Sequence, residues 1–214
     1  MTEAARRIRL AVYDLSEGET QLPNDAGTVH FVYVKTGAAR FDRDGHSVGL
    51  GADEGAFANG HVIVAPGSEV WLFEKAPVAA PYAPAEPVAA HPATLGFAGP
   101  VLVRVDRIES RHGAQTPRHG HRGPGMRRLV FGTLRADVGE AVHRIRAGDA
   151  WFETGTEPVV GTNYGGANAA FVRMLALPAE LEGGKSSFIA ADAGEAAKPR
   201  SVDPRLFGEV LEAE

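Results

Sequence analysis

Two histidines, His119 and His121, stand one residue apart in the stretch Gly113-Ala-Gln-Thr-Pro-Arg-His-Gly-His. On a β-strand, residues i and i+2 point to the same face, so both imidazoles would converge on one pocket. Imidazole nitrogen is a common ligand of divalent metals, and this pair could hold one ion. Two neutral ligands rarely hold a catalytic metal alone, so a third ligand has to come from elsewhere in the chain.

Composition limits the chemistry that can join this pair. The 214 residues include no cysteine, which excludes disulfides, thiolate metal sites and thiol nucleophiles. Hydrophobic residues make up 44% and charged residues 23%, as in an ordinary globular protein, and the net charge of -5 argues against nucleic acid as a partner. No stretch approaches the roughly 18 apolar residues of a membrane span. We therefore expect a soluble, cytoplasmic protein that binds neither membranes nor nucleic acid.

The hydrophobic pattern predicts an all-β protein. Runs of roughly five to eight residues alternate between apolar and polar types, as in Val29–Val34 and Val101–Val105. Similar runs follow the same order on each side of a segment rich in proline and alanine, residues 76–100, which indicates an internal repeat. The tail is less regular, and we expect residues 205–212 to form a short amphipathic helix on the surface.

The spacing in the second half resembles the two sequence motifs of the cupin superfamily. The residues that match are Gly113, His119, His121, Gly132, Gly148 and Asn163. The resemblance implies two tandem barrels of the RmlC-like jelly-roll type, also called double-stranded β-helices. The expected divisions are a degenerate N-terminal barrel over residues 1–76, a linker over 77–100, a C-terminal barrel over 101–190 and an extension over 191–214.

The same motifs mark metal ligands that this chain lacks. Gly125 stands at the position of the motif glutamate, or Met126 if the loop is one residue longer. Val159 or Val160 stands at the position of the histidine in the second motif. The N-terminal half has no His-x-His pair at its first motif, so we expect that barrel to be structural and free of metal.

Glu153 is the candidate for a third ligand. The cupin pattern sends alternate residues of its strand inward, which would place Trp151 and Glu153 inside the barrel. With His119 and His121, Glu153 would complete a set of two histidines and one carboxylate that suits a divalent ion such as iron, manganese, zinc or nickel. Alternatively, Glu153 acts as an acid or base, or pairs with an arginine, since an unpaired buried carboxylate is costly. His143 is a further candidate on a neighbouring strand.

Arginines near the histidine pair point to an anionic ligand. Residues 101–150 carry ten arginines and five acidic residues, whereas the first hundred residues are acidic overall. The second barrel would therefore have a positive field that attracts an anion. A guanidinium can bind a carboxylate through two hydrogen bonds, so we expect a small carboxylic acid as ligand, bound by Arg127, Arg128 and Trp151. Alternatively, most of these arginines form a solvated face balanced by acidic neighbours.

Two kinds of function stay open at this point. The resemblance implies a metal-dependent dioxygenase, lyase or isomerase that acts on a small organic anion without an organic cofactor. The alternative is a non-catalytic cupin that binds or senses a small molecule, or serves as a structural module, with a vestigial metal site. The absent cupin ligands favour this alternative. Exposed sheet edges and the apolar outer face of many cupins predict a homodimer.

Overall fold

Antiparallel β-strands account for nearly all regular structure in the computed structural model, which describes residues 6–43, 45–83 and 86–212. This confirms the all-β prediction. The chain divides into two units, the first ending at Leu95 and the second beginning at Gly96. Within the described ranges, no helix is long and apolar enough to cross a membrane.

The first unit is built from nine strands among its described residues. They are β1 (Arg7–Leu15), β2 (Gly18–Gln21), β3 (Val29–Thr36), β4 (Ala39–Arg43), β5 (His46–Leu50), β6 (Glu54–Ala58), β7 (His61–Val64), β8 (Glu69–Pro77) and β9 (Ala89–Thr94). One sheet has the order β6-β3-β8-β1-β9 and the other has the order β2-β7-β4-β5. Alternate residues of both sheets, such as Val32, Leu72 and Val62, share one apolar core.

A buried ion cluster adjoins this core at Tyr13. The carboxylate of Glu74, on β8, accepts hydrogen bonds from Arg9 Nη2 at 2.7 Å and Tyr13 Oη at 3.0 Å. His30 Nε2 lies 3.3 Å from its second oxygen. The side chain of Glu74 has no exposed surface, so these contacts replace its hydration.

The prediction of a linker over residues 77–100 is wrong for part of its length. Ala89–Thr94 forms strand β9, which pairs antiparallel with β1 and belongs to the first barrel. Pro92 lies within this strand, opposite Arg9. Proline is tolerated there because β9 is the outer strand of its sheet, where a missing N–H need not break a second ladder.

The second unit repeats this plan with ten strands among its described residues. They are β10 (Val101–Ser110), β11 (His119–His121), β12 (Gly125–Phe131), β13 (Thr133–Val138), β14 (Ala141–Arg146), β15 (Ala150–Glu153), β16 (Val159–Asn163), β17 (Ala169–Pro178), β18 (Phe188–Ala190) and β19 (Val202–Glu212). A short 3-10 helix (Ala179–Leu181) and helix α1 (Ala193–Ala196) complete it. The sheets have the orders β15-β12-β17-β10-β19 and β14-β13-β16-β11-β18. The first sheet repeats the order of its counterpart in the first unit, which confirms the internal repeat.

The prediction of a helix over residues 205–212 is wrong. This segment lies in strand β19, which pairs with β10 along Val101–Ser110. A helix of eight residues gains little from its own hydrogen bonds, whereas the strand forms a full ladder with an open sheet edge. The predicted extension is therefore in part a strand of the second barrel.

Candidate functional site

The second barrel encloses a cavity of about 240 Å³. His119 and His121, on β11, both line it, as their i, i+2 spacing predicts. Strand β10 contributes Arg104 and Asp106 to the wall, while their neighbours along the strand face away from the cavity. The alternation of β-strands therefore places charged side chains inside this barrel, where the first barrel has mostly apolar ones.

Neighbouring groups hold both imidazole rings in place. His119 Nδ1 lies 2.8 Å from the carbonyl oxygen of Pro117. Because a carbonyl only accepts, Nδ1 carries the hydrogen and Nε2 keeps its lone pair. The ring of His119 also stacks on Phe188, with centroids 4.6 Å apart. His121 Nδ1 lies 3.3 Å from the Ser187 hydroxyl.

Both histidines are neutral at pH 7. Burial lowers the pKa of His119 below its ordinary value. Burial also lowers the pKa of His121, well below its ordinary value, and the charges of Arg173 and Arg127 lower it further. A neutral imidazole in a positive environment can accept a hydrogen bond, but it adds no charge of its own.

Glu153 forms an ion pair with Arg127 instead of standing free. Its Oε2 lies 2.7 Å from Arg127 Nη2 and 3.8 Å from His121 Nε2. Trp151 Nε1 donates a hydrogen bond to Oε1 at 3.0 Å. The alternative in which Glu153 pairs with an arginine is therefore the arrangement found in the structure.

Arg127 is the most deeply buried charged group of the cavity, with 1% of its surface exposed. Burial lowers its pKa to about 10, which still leaves it charged at pH 7. Nη1 donates to the carbonyl of Gly125 at 2.8 Å. Nη2 touches Glu153 without hydrogen-bond alignment, so it has no hydrogen-bond acceptor among the residues that the structure describes.

The strand register sets charged residues in a row beside Arg127. Arg127 on β12 lies opposite Arg173 on β17, and Arg173 lies opposite Asp106 on β10. Arg173 donates two hydrogen bonds to Asp106, at 2.6 and 2.9 Å, which neutralise this pair. Arg104 is held by Glu209 at 2.6 Å.

The cavity carries an excess of positive charge. The charged residues that line it are Arg104, Arg127, Arg135, Arg173, Arg200, Asp106 and Glu153. Glu209 pairs with Arg104 from outside the wall, and Asp137 pairs with Arg135 at 2.6 Å. Arg200 donates to the Ser186 hydroxyl and lies 4.3 Å over the ring of Phe188, and neither partner is charged. Five guanidinium groups thus face four carboxylates, which leaves one positive charge.

The opposite part of the cavity is apolar. Val159, Ile145 and Leu134 belong to one buried cluster that lines it. Trp151 and Phe171 pack against this cluster and remain partly exposed to the cavity, with ring centroids 5.2 Å apart. The cavity therefore joins an ionic region to a hydrocarbon surface.

The side chains as arranged do not fit a resident divalent metal. A Cβ at Gly125 would lie 2.5 Å from Leu175 Cδ2 and 3.1 Å from Arg127 Nη1, so other side chains fill the place of the absent glutamate. Val159 pairs directly with His119 and is buried. The described residues contain no group of three or more metal-ligating side chains. Ligation by His119, His121 and Glu153 stays a prediction.

Two residues singled out from the sequence lie away from the cavity. Arg128 follows Arg127 on β12 and therefore points to the opposite face, where its Nε donates to the carbonyl of Gly148 at 3.0 Å. His143 is exposed on β14, whereas Ile145 on the same strand is buried. The cavity thus includes Arg127 and Trp151, but not Arg128 or His143.

Sequence reasoning missed four arginines of the cavity wall. Arg104, Arg135 and Arg173 come from strands β10, β13 and β17, and Arg200 comes from the segment before β19. A signal existed for Arg173, because it interrupts an otherwise apolar strand. Arg200 had no such signal, since only the chain path near β18 brings it over Phe188.

Solved structures share this fold at low sequence identity. The oxalate decarboxylase formate complex from Lactobacillus farciminis has a TM-score of 0.60 and 13% identity, covering 92% of this chain and 82% of that chain. A Cupin 2 conserved barrel domain protein from Leptotrichia buccalis has a TM-score of 0.52 and 9% identity, covering 82% and 86%. AerE from Microcystis aeruginosa has a TM-score of 0.55 and 12% identity, covering 82% and 90%. No protein-family model and no curated protein sequence matches the chain.

Proposed function

We propose that this chain, whose tandem barrels have the cupin fold, binds a small organic anion in its C-terminal barrel. Arg127 Nη2 donates to the anion, and Arg200, which has no carboxylate partner among the described residues, supplies the excess positive charge. The observation that carries this proposal is the charge of the cavity. Its five arginines face four carboxylates, while His119 and His121 are neutral. A bound monoanion would balance the remaining positive charge.

Arg127 is the centre of the proposed site. It lies beside the histidine pair, because Arg127 Nη2 and His121 Nε2 approach the same oxygen of Glu153. Nη2 has an ion-pair contact but no aligned hydrogen bond among the described residues. A ligand carboxylate in line with its N–H would add a charge-assisted hydrogen bond. A guanidinium held in place by its neighbours can therefore bind an anion in a cavity where a metal-dependent cupin would use a metal ion.

The fold neighbours agree with this ligand class without carrying the argument. One of them is an oxalate decarboxylase solved as a formate complex, and both names refer to carboxylates. At 13% identity the likeness concerns the fold, so the ligand of this chain has to be argued from its own residues.

The competing function is the metal-dependent enzyme predicted from the histidine pair. It is supported by His119, whose Nδ1 bonds Pro117 and whose Nε2 is left as a ligand. Glu153 argues against a metal site, because Arg127 and Trp151 already contact its two carboxylate oxygens. We therefore favour a binding or sensing role over metal-dependent catalysis.

Calorimetry with sodium phenylacetate tests the proposed function. Arg127→Met combined with Glu153→Gln removes the ion pair without leaving either charge unpaired, and we expect it to abolish binding. Arg128→Met is the matched control, because this neighbour lies on the other face of the strand. Thermal unfolding would show that both variants fold. Absence of any heat with phenylacetate, acetate and phosphate on the wild-type protein would refute anion binding.

Assembly and location stay predictions. Strand β19 is the outer strand of its sheet and exposes Leu206 and Leu211, as an edge that pairs with a second copy would. We therefore expect a homodimer, which light scattering can measure. A cytoplasmic location is likewise expected and can be tested by fractionation.

A further inference from the structure

The number of charges in the cavity limits the ligand to one carboxylate. Arg173 is neutralised by two hydrogen bonds to Asp106. Arg104 is held by Glu209 and by the carbonyl oxygens of Leu181 and Lys185. Arg127 is likewise paired with Glu153. Arg200 alone has no carboxylate partner among the described residues, which leaves positive charge for one anionic group. A dianion would therefore lose more hydration than the cavity replaces.

The size of the cavity favours a compact ligand. Its volume of about 240 Å³ is close to the lower end of the ~300–1,000 Å³ found for pockets that bind small molecules. The cavity therefore suits a small molecule that carries a ring or a branched chain beside its carboxylate.

The strand register places the apolar surface next to the carboxylate site. Arg173 and Asp106 occupy one level of the sheet, and Phe171 and Ile108 occupy the next inward-facing level. Trp151 lies opposite Arg127, and its ring packs against Phe171. A ligand anchored at Arg127 would therefore lay its body on these two aromatic rings, which favour flat hydrocarbon groups.

A second polar atom without a partner marks the far end of this surface. Ser110 Oγ is buried, lines the cavity and has no hydrogen-bond partner among the residues that the structure describes. Ser110 follows Asp106 along β10 by four residues, about 13 Å at ~3.3 Å each. The intervening inward residue is Ile108. Arg127 Nη2 and Ser110 Oγ, which both lack an aligned hydrogen bond among the described residues, thus lie at opposite ends of an apolar surface.

We infer that the ligand is a monocarboxylic acid with a compact apolar body, preferably an aromatic ring, and a neutral hydrogen-bonding group at the end opposite the carboxylate. Its carboxylate binds Arg127, its ring lies against Trp151 and Phe171, and its neutral group meets Ser110. This inference rests on the proposed anion-binding function and adds the class and the orientation of the ligand.

Calorimetry on the full chain with four probes tests this inference. The probes are acetate, phenylacetate, 4-hydroxyphenylacetate and the neutral phenylacetamide. We expect phenylacetate to bind at least about tenfold more tightly than acetate, because the ring buries apolar surface. The hydroxyl should add about a three- to tenfold gain, which Ser110→Ala removes without changing the affinity for phenylacetate.

The failures of the two proposals are distinguishable. If acetate binds as tightly as phenylacetate, or if Ser110→Ala leaves the preference for the hydroxyl unchanged, the inferred class or orientation is wrong while anion binding stands. If phenylacetamide binds as tightly as phenylacetate, or no carboxylate binds, the proposed function itself is wrong.

The apolar wall gives a further test, in which Val159→Thr should weaken the binding of phenylacetate more than that of acetate. The control is Val160→Thr, since Val160 does not line the cavity.

Discussion

Arg127 Nη2 and Glu153 Oε2 lie 2.7 Å apart inside the C-terminal barrel, so the protein places its own carboxylate against the guanidinium that would bind a ligand. The contact lacks hydrogen-bond alignment, and Glu153 is also held by Trp151. The ion pair therefore leaves this part of the cavity wall close to neutral, while Nη2 can still donate an aligned hydrogen bond. Glu153 would compete with a ligand carboxylate for the same cation.

Removing the charge of Glu153 should strengthen anion binding. Glu153→Gln keeps an oxygen for Trp151 but removes the competing negative charge, so we expect phenylacetate to bind about three- to tenfold more tightly. Calorimetry measures the change, with Glu157→Gln as an exposed control outside the cavity. Weaker binding by Glu153→Gln would mean that the carboxylate helps to hold the ligand.

Metal analysis distinguishes the two functions. The protein purified without a chelating tag should contain much less than one divalent ion per chain, because Leu175 and Arg127 fill the place of the absent glutamate. The double variant His119→Ala, His121→Ala should show the same low content by elemental analysis. Stoichiometric metal in the wild type, lost in the double variant and reduced in Glu153→Gln, would establish the predicted metal site instead.

Acid should destabilise the N-terminal barrel through Glu74. Burial alone would raise the pKa of Glu74, but hydrogen bonds from His30, Arg9 and Tyr13 outweigh it and hold the pKa below the usual 4.5. Such a group stabilises the fold above the unfolded pKa, and this contribution is lost as the pH falls through the lower folded pKa. Stability should therefore be constant near neutrality and decline below about pH 4.5.

Glu74→Gln provides the comparison for this pH effect. It should lose about 3–5 kcal/mol at pH 7, because it leaves Arg9 buried without its counter-ion. Urea unfolding followed by Trp71 fluorescence, in a Trp151→Phe background, reports on this barrel. The difference between the two proteins should shrink on acidification, and a difference that stays constant down to pH 3 would contradict the role of Glu74.

Close backbone packing beside the histidine pair should make Gly155 intolerant of a side chain. Its φ is +86°, and a Cβ there would lie 2.4 Å from the carbonyl oxygen of Gly123 and 2.9 Å from that of His121. Gly155→Ala should reduce the free energy of unfolding by about 3 kcal/mol or more. Gly166→Ala is the control, since its Cβ would meet nothing within 4 Å. Equal melting temperatures for both variants would contradict this account.

Local patterns determined the class of fold and the first residues of the site. Two-residue alternation is a property of neighbouring positions, so it placed His119 and His121 on one face and predicted the repeated β-barrels, which the structure confirms. The same reasoning failed for residues 205–212, because strand β19 forms only through its partner β10. Short segments carry little information about partners that lie far along the chain.

Only the tertiary structure decided which charged side chains face the cavity and which of them are paired. From the sequence we predicted that Arg127 and Arg128 both bind the ligand. Adjacent residues of a strand face opposite sides of the sheet, and only Arg127 lines the cavity. Long-range pairing of β10 with β17 set Asp106 against Arg173 and neutralised both. The balance of buried charge depends on such pairings, which no local pattern contains. The histidine pair lies in the wall of the cavity, and the surrounding arginines are the basis for the anion binding that we propose.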